Sequence, residues 1–501
     1  MNLEINTLEL NETVQETFGS AAAECEIVLP DYCPNILRIL SAQAFPSICA
    51  ESRRPDRITL EGNIDFRVMY LAENGTKIYT VTQQSSFTQS FELKEGNTAQ
   101  VSYSVQPEQV TARALSPQRM HVKVVLRIPL RVTATSALCL PNPKEDCEYL
   151  TRNICYSKRC CEGTKPLRIS DEFELGTLPA AVNILRTELC FLETEQKPLT
   201  EKLIVKADMC FRILYADSAD VLHTAEQTIP VSQILDLTGL DEETICAIRF
   251  QPLSCSVTPK ETIDGETKIL AYDVEVNVRA EGYRTEQTSL ITDAYSLKNK
   301  SECTVRQISF EQALRIREDG TAKESMEIGY YDSVYDVNVT PVILSTEADP
   351  ESREVRTEGT WNCTALIRDA NGDTVCVEKS IPFSICTKIS DPVTQIRNEC
   401  TLSVISLSFS PSDATHLEFR VDYRLNGMLF IVNPYCIVTD LCQKEERVSS
   451  QAEMVLYYAE KGESVWQIAK KYTCRYEKLR ETNHIEGEVM EESEMLLILR
   501  G

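Results

Sequence analysis

Histidine and tryptophan are scarce in this chain. Four histidines and two tryptophans stand among 501 residues, which leaves few candidates for imidazole metal sites or general acid–base pairs. His121, His223, His416 and His484 fall in separate segments without metal-ligand spacing, and the sequence holds no GxxxxGK followed by Ser or Thr, no HExxH, no GxSxG and no GxGxxG. Acidic pairs such as Glu491-Glu492 read as solvated surface, not as the two carboxylates that glycoside hydrolysis sets across a sugar. An enzyme is therefore not expected, nor a cofactor. Basic charge is also short. Lys and Arg number 51 against 76 Asp and Glu, a formal net charge of −25, and such a chain repels phosphate backbones, so nucleic acid is excluded as a partner. No apolar run approaches the ~20 residues that cross a bilayer. The first residues, MNLEINTLELNETVQETFGS, lack the basic cluster and apolar stretch of a secretory signal. The expectation is a cytoplasmic protein with no membrane span.

Cysteine is plentiful, at 20 residues. Most are scattered singly, and in a reducing compartment they act as small buried apolar groups more often than as disulfides. The dense stretch CLPNPKEDCEYLTRNICYSKRCC, Cys139 to Cys161, has neither CxxC pairs nor histidine, so it reads as a linker with reduced thiols, not as a zinc site.

Three segments share one pattern: ITLEGNIDFRVMYL from Ile58, LIVKADMCFRILYA from Leu203 and VRTEGTWNCTALIR from Val355. Phe66, Val68 and Tyr70 answer to Phe211, Ile213 and Tyr215, and this alternation marks strands with one buried face. A second landmark recurs at Ser116-Pro117, Thr258-Pro259 and Ser410-Pro411. Each is followed by a regular strand: HVKVVLRIPLRV, YDVEVNVRA and LEFRVDYRL. His121 and His416 both open such strands, a structural position. Pro129 argues for an edge or a bulge. Turn signals at Glu73-Asn74-Gly75 and Ala370-Asn371-Gly372-Asp373 suit hairpins. The chain thus reads as mainly β, with three tandem antiparallel sandwich- or barrel-like units. Residues 1–139 form the first, 140–172 a Cys-rich linker, 173–300 the second, 301–328 a linker with room for a short helix, and 329–442 the third. A polar tether over 443–453 leads to residues 454–501. The long period predicts separate beads.

The last segment changes character. Val465, Ile468, Ala469 and Tyr472 form an amphipathic helical stripe. Ser464 with Gln467 has the spacing of a capping box, and Gly462 permits a tight entry. A second helix is expected from Arg475 to about Thr482, and Met495–Leu499 reads as a closing strand. The order is strand, helix, helix, strand. Trp466 points off the stripe, either exposed as a contact anchor or packed on the acidic stretch before the last strand.

Tyr458, the turn Lys461-Gly462-Glu463-Ser464, the run Val465 to Tyr472, Leu479, Asn483 and Leu497-Ile498 make this segment resemble the LysM domain. That resemblance implies binding of N-acetylglucosamine polymers by the loops over 462–465 and 483–487, with Gly462, Glu463, Ser464, Val465, Trp466, Asn483, His484, Ile485 and Glu486 as candidate partner- or glycan-binding residues. The turn departs from the usual Gly-Asp-Thr, and EGEVMEESEM before the last strand is unusually acidic. Upstream, EIVLPDYCPNILRIL (Glu26 to Leu40), echoed as LPAAVNIL with Ile184-Leu185, resembles the entry motif of the SPOCS domain. Repeated SPOCS domains followed by one LysM resemble the architecture of SipL-type spore-coat morphogenetic proteins of clostridia. The resemblance implies a scaffold in the mother-cell cytoplasm at the forespore surface, with the LysM segment recruiting a coat morphogenetic ATPase. The alternative is a peptidoglycan-binding protein of wall or cortex, with weak glycan affinity.

Overall fold

Alternating apolar and polar residues produce unusually long strands. A computed structural model describes residues 7–73, 75–94, 100–139, 144–260, 268–349, 351–390, 393, 395–446 and 454–499. The first unit contains β1 (Thr7–Val28), β2 (Ile36–Arg54), β3 (Arg57–Ala72), β4 (Ile78–Glu92), β5 (Gln100–Tyr103), β6 (Gln106–Ser116) and β7 (Arg119–Cys139). The meander β2-β3-β4 forms one antiparallel sheet, while β7 runs between β1 and the pair β5 and β6 in another. The second unit repeats the plan with β8 (Cys147–Glu174), β9 (Asn183–Leu199), β10 (Lys202–Ala216), β11 (Leu222–Asp236), β12 (Ile245–Lys260) and β13 (Ile269–Ser296), in sheets β9-β10-β11 and β8-β13-β12. The third uses β14 (Asn299–Glu327), β15 (Tyr331–Asp349), β16 (Glu354–Asp369), β17 (Thr374–Lys388), β18 (Ile396–Pro411) and β19 (His416–Glu446), in sheets β15-β16-β17 and β14-β19-β18. Each unit is thus a pair of open sheets, not a barrel. Val122, Val124, Leu126, Ile128, Leu130 and Val132 of β7 are buried together with Ile64, Phe66, Val68 and Tyr70 of β3, so the two alternating faces close on one core.

Both expected linkers are mostly strand in their described residues, and 140–143 lie outside those residues. The Cys-rich segment becomes β8, paired with β13 along its length, and buries Cys147, Ile154, Tyr156 and Cys161. Residues 301–327 belong to β14, paired with β19, and 301–328 hold no helix. These are outer strands of their sheets, and their charged solvent side hides the alternation that central strands display. Of the tether, residues 443–446 end β19, and 447–453 lie outside the described residues, as does Asn74 of the first hairpin signal. The Ala370–Asp373 turn does join β16 to β17, with Asp369 N donating to Asp373 O at 2.9 Å. Pro129 sits on a central strand, but at the break between β5 and β6. Its carbonyl accepts from Ser104 N at 3.4 Å, so the side of the strand that lacks a proline N–H faces the break.

The units are not separate beads. Met69, Leu214 and Leu366, at corresponding positions of β3, β10 and β16, meet in one apolar cluster with Leu40, Leu71, Ile78 and Leu185. Glu399 of β18 pairs with one arginine from every unit: Arg131 at 2.9 Å, Arg249 and Arg397. Asp336, 1 % exposed, pairs with Arg186 and with Arg212 at 2.9 Å across the second and third units. Apolar residues at the ends of β3, β10 and β16 occupy both faces, so each strand end needs a neighbour on its second side.

Candidate functional site

The C-terminal module has the expected order: β20 (Met454–Ala459), α1 (Val465–Tyr472), α2 (Tyr476–Asn483) and β21 (Glu494–Leu499), with β20 and β21 antiparallel. Its core is Ala459, Val465, Ile468, Ala469, Cys474, Leu479, Met490, Leu496 and Ile498. Gly462 holds φ +90°, a conformation that strains other residues.

The helix start differs from the expected capping box. Ser464 is extended, as an N-cap should be, but its hydroxyl makes no cap bond. The first-turn donor Val465 N–H goes instead to Glu488 O at 3.0 Å, Gly462 N donates to Met490 O at 2.8 Å, and Met490 N to Glu463 O at 2.9 Å. The loop is therefore zipped onto Glu488–Met490, whose carbonyls and amide take the place of a side-chain cap. The Glu463 carboxylate is likewise occupied, accepting from Tyr457 OH at 2.9 Å and from Glu460 N at 3.1 Å. That bond holds the Tyr457 phenol above its ordinary value.

Of the candidate residues, several turn out to be framework. Asn483 donates to Leu479 O at 2.8 Å and to Leu497 O at 2.9 Å, and accepts from Leu497 N at 2.7 Å, stapling α2 to β21. Ile485 packs on the module core. His484 adopts the left-handed conformation that ends α2. Its side chain and that of Glu486 are exposed, while Glu463 and Ser464 are half-buried. Val465 is fully buried.

Trp466 follows neither sequence expectation. It is 5 % exposed, and it docks the module on the second unit rather than facing solvent or the acidic stretch. Its ring meets Tyr295 of β13 edge-on at 5.0 Å and Tyr476 at 5.5 Å. Its Nε1–H donates to Asp293 at 2.9 Å, and Lys470 Nζ reaches the same carboxylate at 2.6 Å. Tyr295 OH donates to Cys474 O at 2.6 Å, and burial pushes that phenol up. Glu148 of β8 receives Tyr476 N–H at 3.4 Å. The partners on β8 and β13 lie more than 170 residues away in sequence, so no local signal could have announced them.

What the module leaves open is its other side. Val455, Tyr457, Leu496 and Ile498 face the helices, so alternation places Met454, Leu456, Tyr458, Met495, Leu497 and Leu499 on the outer face. Met454, Leu456, Tyr458 and Met495 are 57–69 % exposed. Beside this face stand the exposed carboxylates Glu460, Glu491, Glu492 and Glu494. The sequence signal was present in MVLYYA and MLLIL, which are apolar on both faces of a two-stranded sheet. Among the described residues, no group of three or more His, Cys, Asp or Glu side chains is placed to hold a metal.

A repeated detail marks the first two sandwiches. Tyr70 OH donates to Pro34 O at 3.3 Å, and Tyr215 OH to Pro179 O at 2.8 Å, tying each entry segment to the end of its central strand. Residues 35–113 and 181–260 match the family described as SipL, SPOCS domain. The chain carries two stretches that match the SPOCS domain. The two SPOCS matches span β2 to β6 and β9 to β12. They leave out the long strands β1, β7, β8 and β13 that complete each sandwich. The third unit repeats the SPOCS topology outside the matched residues, and Ile367 stands where Tyr70 and Tyr215 do. The SPOCS family is sporulation-related. No curated protein and no solved structure matches the chain. No helix in the described residues is long and apolar enough to cross a membrane.

Proposed function

We propose that this protein is a non-enzymatic scaffold of spore-coat assembly, working in the mother cell at the forespore surface, and that its LysM-like module tethers a coat morphogenetic ATPase. The observation that carries the reading is the outer face of β20 and β21. Four large apolar side chains stand exposed on a small sheet whose other face is already filled. Apolar groups grouped beside charged ones mark protein contact surfaces. The docking of α1 on the second sandwich holds that face outward and uses up Trp466, so the contact is made by the sheet and not by the helix. Glycan binding by the loops has less support, because Val465 and Trp466 are buried and the Asn483 amide is fully engaged.

The test uses the full chain. Leu456→Asp with Tyr458→Asp should abolish co-purification with the coat ATPase, at least a tenfold loss of affinity for two buried anchors, while the melting temperature of the sandwiches stays in place. The native chain should remain in the supernatant with insoluble peptidoglycan. Retained ATPase binding by the double variant, or sedimentation with peptidoglycan that the variant does not share, overturns the reading.

A further inference from the structure

Cys190, Cys210 and Thr228 stand directly opposite one another on β9, β10 and β11. Directly paired residues of antiparallel strands project to the same face. Here it is the face away from Met209 and Phe211 of the core, and it lines a 360 Å³ cavity between the second and third units, with Phe45 of the first unit at its rim. Cys210 Sγ lies 3.8 Å from Asp208 O and 3.9 Å from Thr228 Oγ1, and the Val404 carbonyl of the third unit lies 3.9 Å from Cys190 Sγ.

We propose that Cys190 and Cys210 are a reactive dithiol that a low-molecular-weight disulfide, entering this cavity, converts to a cross-strand disulfide. Cys210 is the attacking group. The neighbouring Cys190 thiol, with help from Thr228, outweighs burial and holds the Cys210 thiol down at about 7. Burial pushes Cys161, Cys246, Cys363, Cys376 and Cys400 up to about 12 and leaves them inert near neutrality. The neighbouring Cys210, together with burial, raises the Cys190 thiol, which suits a resolving group.

In the first step the Cys210 thiolate attacks one sulfur of the external disulfide. The external S–S bond breaks, one thiolate leaves, and a mixed disulfide remains on Cys210. Cys190 then loses its proton and attacks Cys210 Sγ, forming the protein S–S bond and expelling the second external thiolate. Two protein thiols are oxidised, one external disulfide is reduced to two thiols, and both protons end on the released thiols. The Cβ separation of directly opposed residues, about 4.5–5.5 Å, meets that of a disulfide, about 3.5–4.5 Å, only at the short end, so the bridge is reversible by excess thiol.

The reduced full chain is incubated with oxidised glutathione and mapped by mass spectrometry without reduction. A Cys190–Cys210 cross-linked peptide is expected, with a rate that rises through about pH 7. Cys190→Ser should stop at a glutathione adduct on Cys210, and Cys210→Ser should leave Cys190 unmodified. Alkylation of the native chain at pH 7 should label Cys210 about tenfold faster than Cys190, which tests the assignment even if a variant fails to fold. Absence of the cross-link, native-rate modification of Cys190 in Cys210→Ser, or equal alkylation of the two overturns the proposal.

Discussion

Asn483 and Ser464 look alike as polar residues at helix ends, yet the structure gives them opposite weight. The Asn483 amide makes three hydrogen bonds, two that join α2 to Leu497 of β21 and one to Leu479 O within α2. At about 1 kcal/mol net for each bond, Asn483→Ala should cost the module about 2–3 kcal/mol. The Ser464 hydroxyl makes no cap bond, and the first helical N–H, of Val465, goes to Glu488 O. Ser464→Ala should therefore stay within about 0.5 kcal/mol. Hydrogen exchange of the α2 and β21 amides in the full chain reads both: protection falls for Asn483→Ala and is unchanged for Ser464→Ala. Equal losses in the two would mean that the hydroxyl caps α1 after all.

At the scale of elements, α1 is a docking helix. Asp293 on β13 accepts both Trp466 Nε1–H and Lys470 Nζ–H, so one carboxylate supplies two of the contacts that hold the module against the second sandwich. Asp293→Ala leaves a half-buried ammonium and an indole N–H without their acceptor, at a cost of about 1–3 kcal/mol. The expected result is a red-shifted Trp466 emission, recorded with Trp361→Phe as the background, and faster proteolysis between β19 and β20. Unchanged emission would show that the apolar contacts with Tyr295 hold the module without the charge. The same scale explains β8. An outer strand tolerates charge on its solvent side, and Cys147 and Cys161 of β8 are buried as small apolar groups in two separate clusters.

The whole molecule is held by contacts that no unit makes alone. Asp336 of the third unit is buried against Arg186 and Arg212 of the second. Removing one partner of a buried ion pair strands the other charges, typically at about 3–5 kcal/mol. Asp336→Ala should split thermal unfolding, with the third sandwich melting before the first two. Calorimetry checks this directly: one unaltered transition would mean that the shared apolar cluster of Met69, Leu214 and Leu366 couples the units by itself. Three sandwiches fused in this way present a rigid body to which the C-terminal module is fastened. That arrangement suits the scaffold proposed above, which would hold its partner at a defined place.

Much was legible before any coordinates. Period-two alternation in ITLEGNIDFRVMYL, HVKVVLRIPLRV and their repeats determined the long central strands, because a strand with one wet face must alternate. The repeat spacing determined that three similar units follow one another, and the 3.6-residue stripe around Ile468 determined the βααβ order at the end. Tertiary structure alone decided three further matters. It turned the supposed linkers into β8 and β14, since outer strands carry a weaker pattern. It closed the beads into one body, since which surfaces meet depends on pairs of residues far apart in the chain. It buried Trp466 and exposed Leu456 and Tyr458, since a helix stripe says which side faces its own module but not what the opposite side meets.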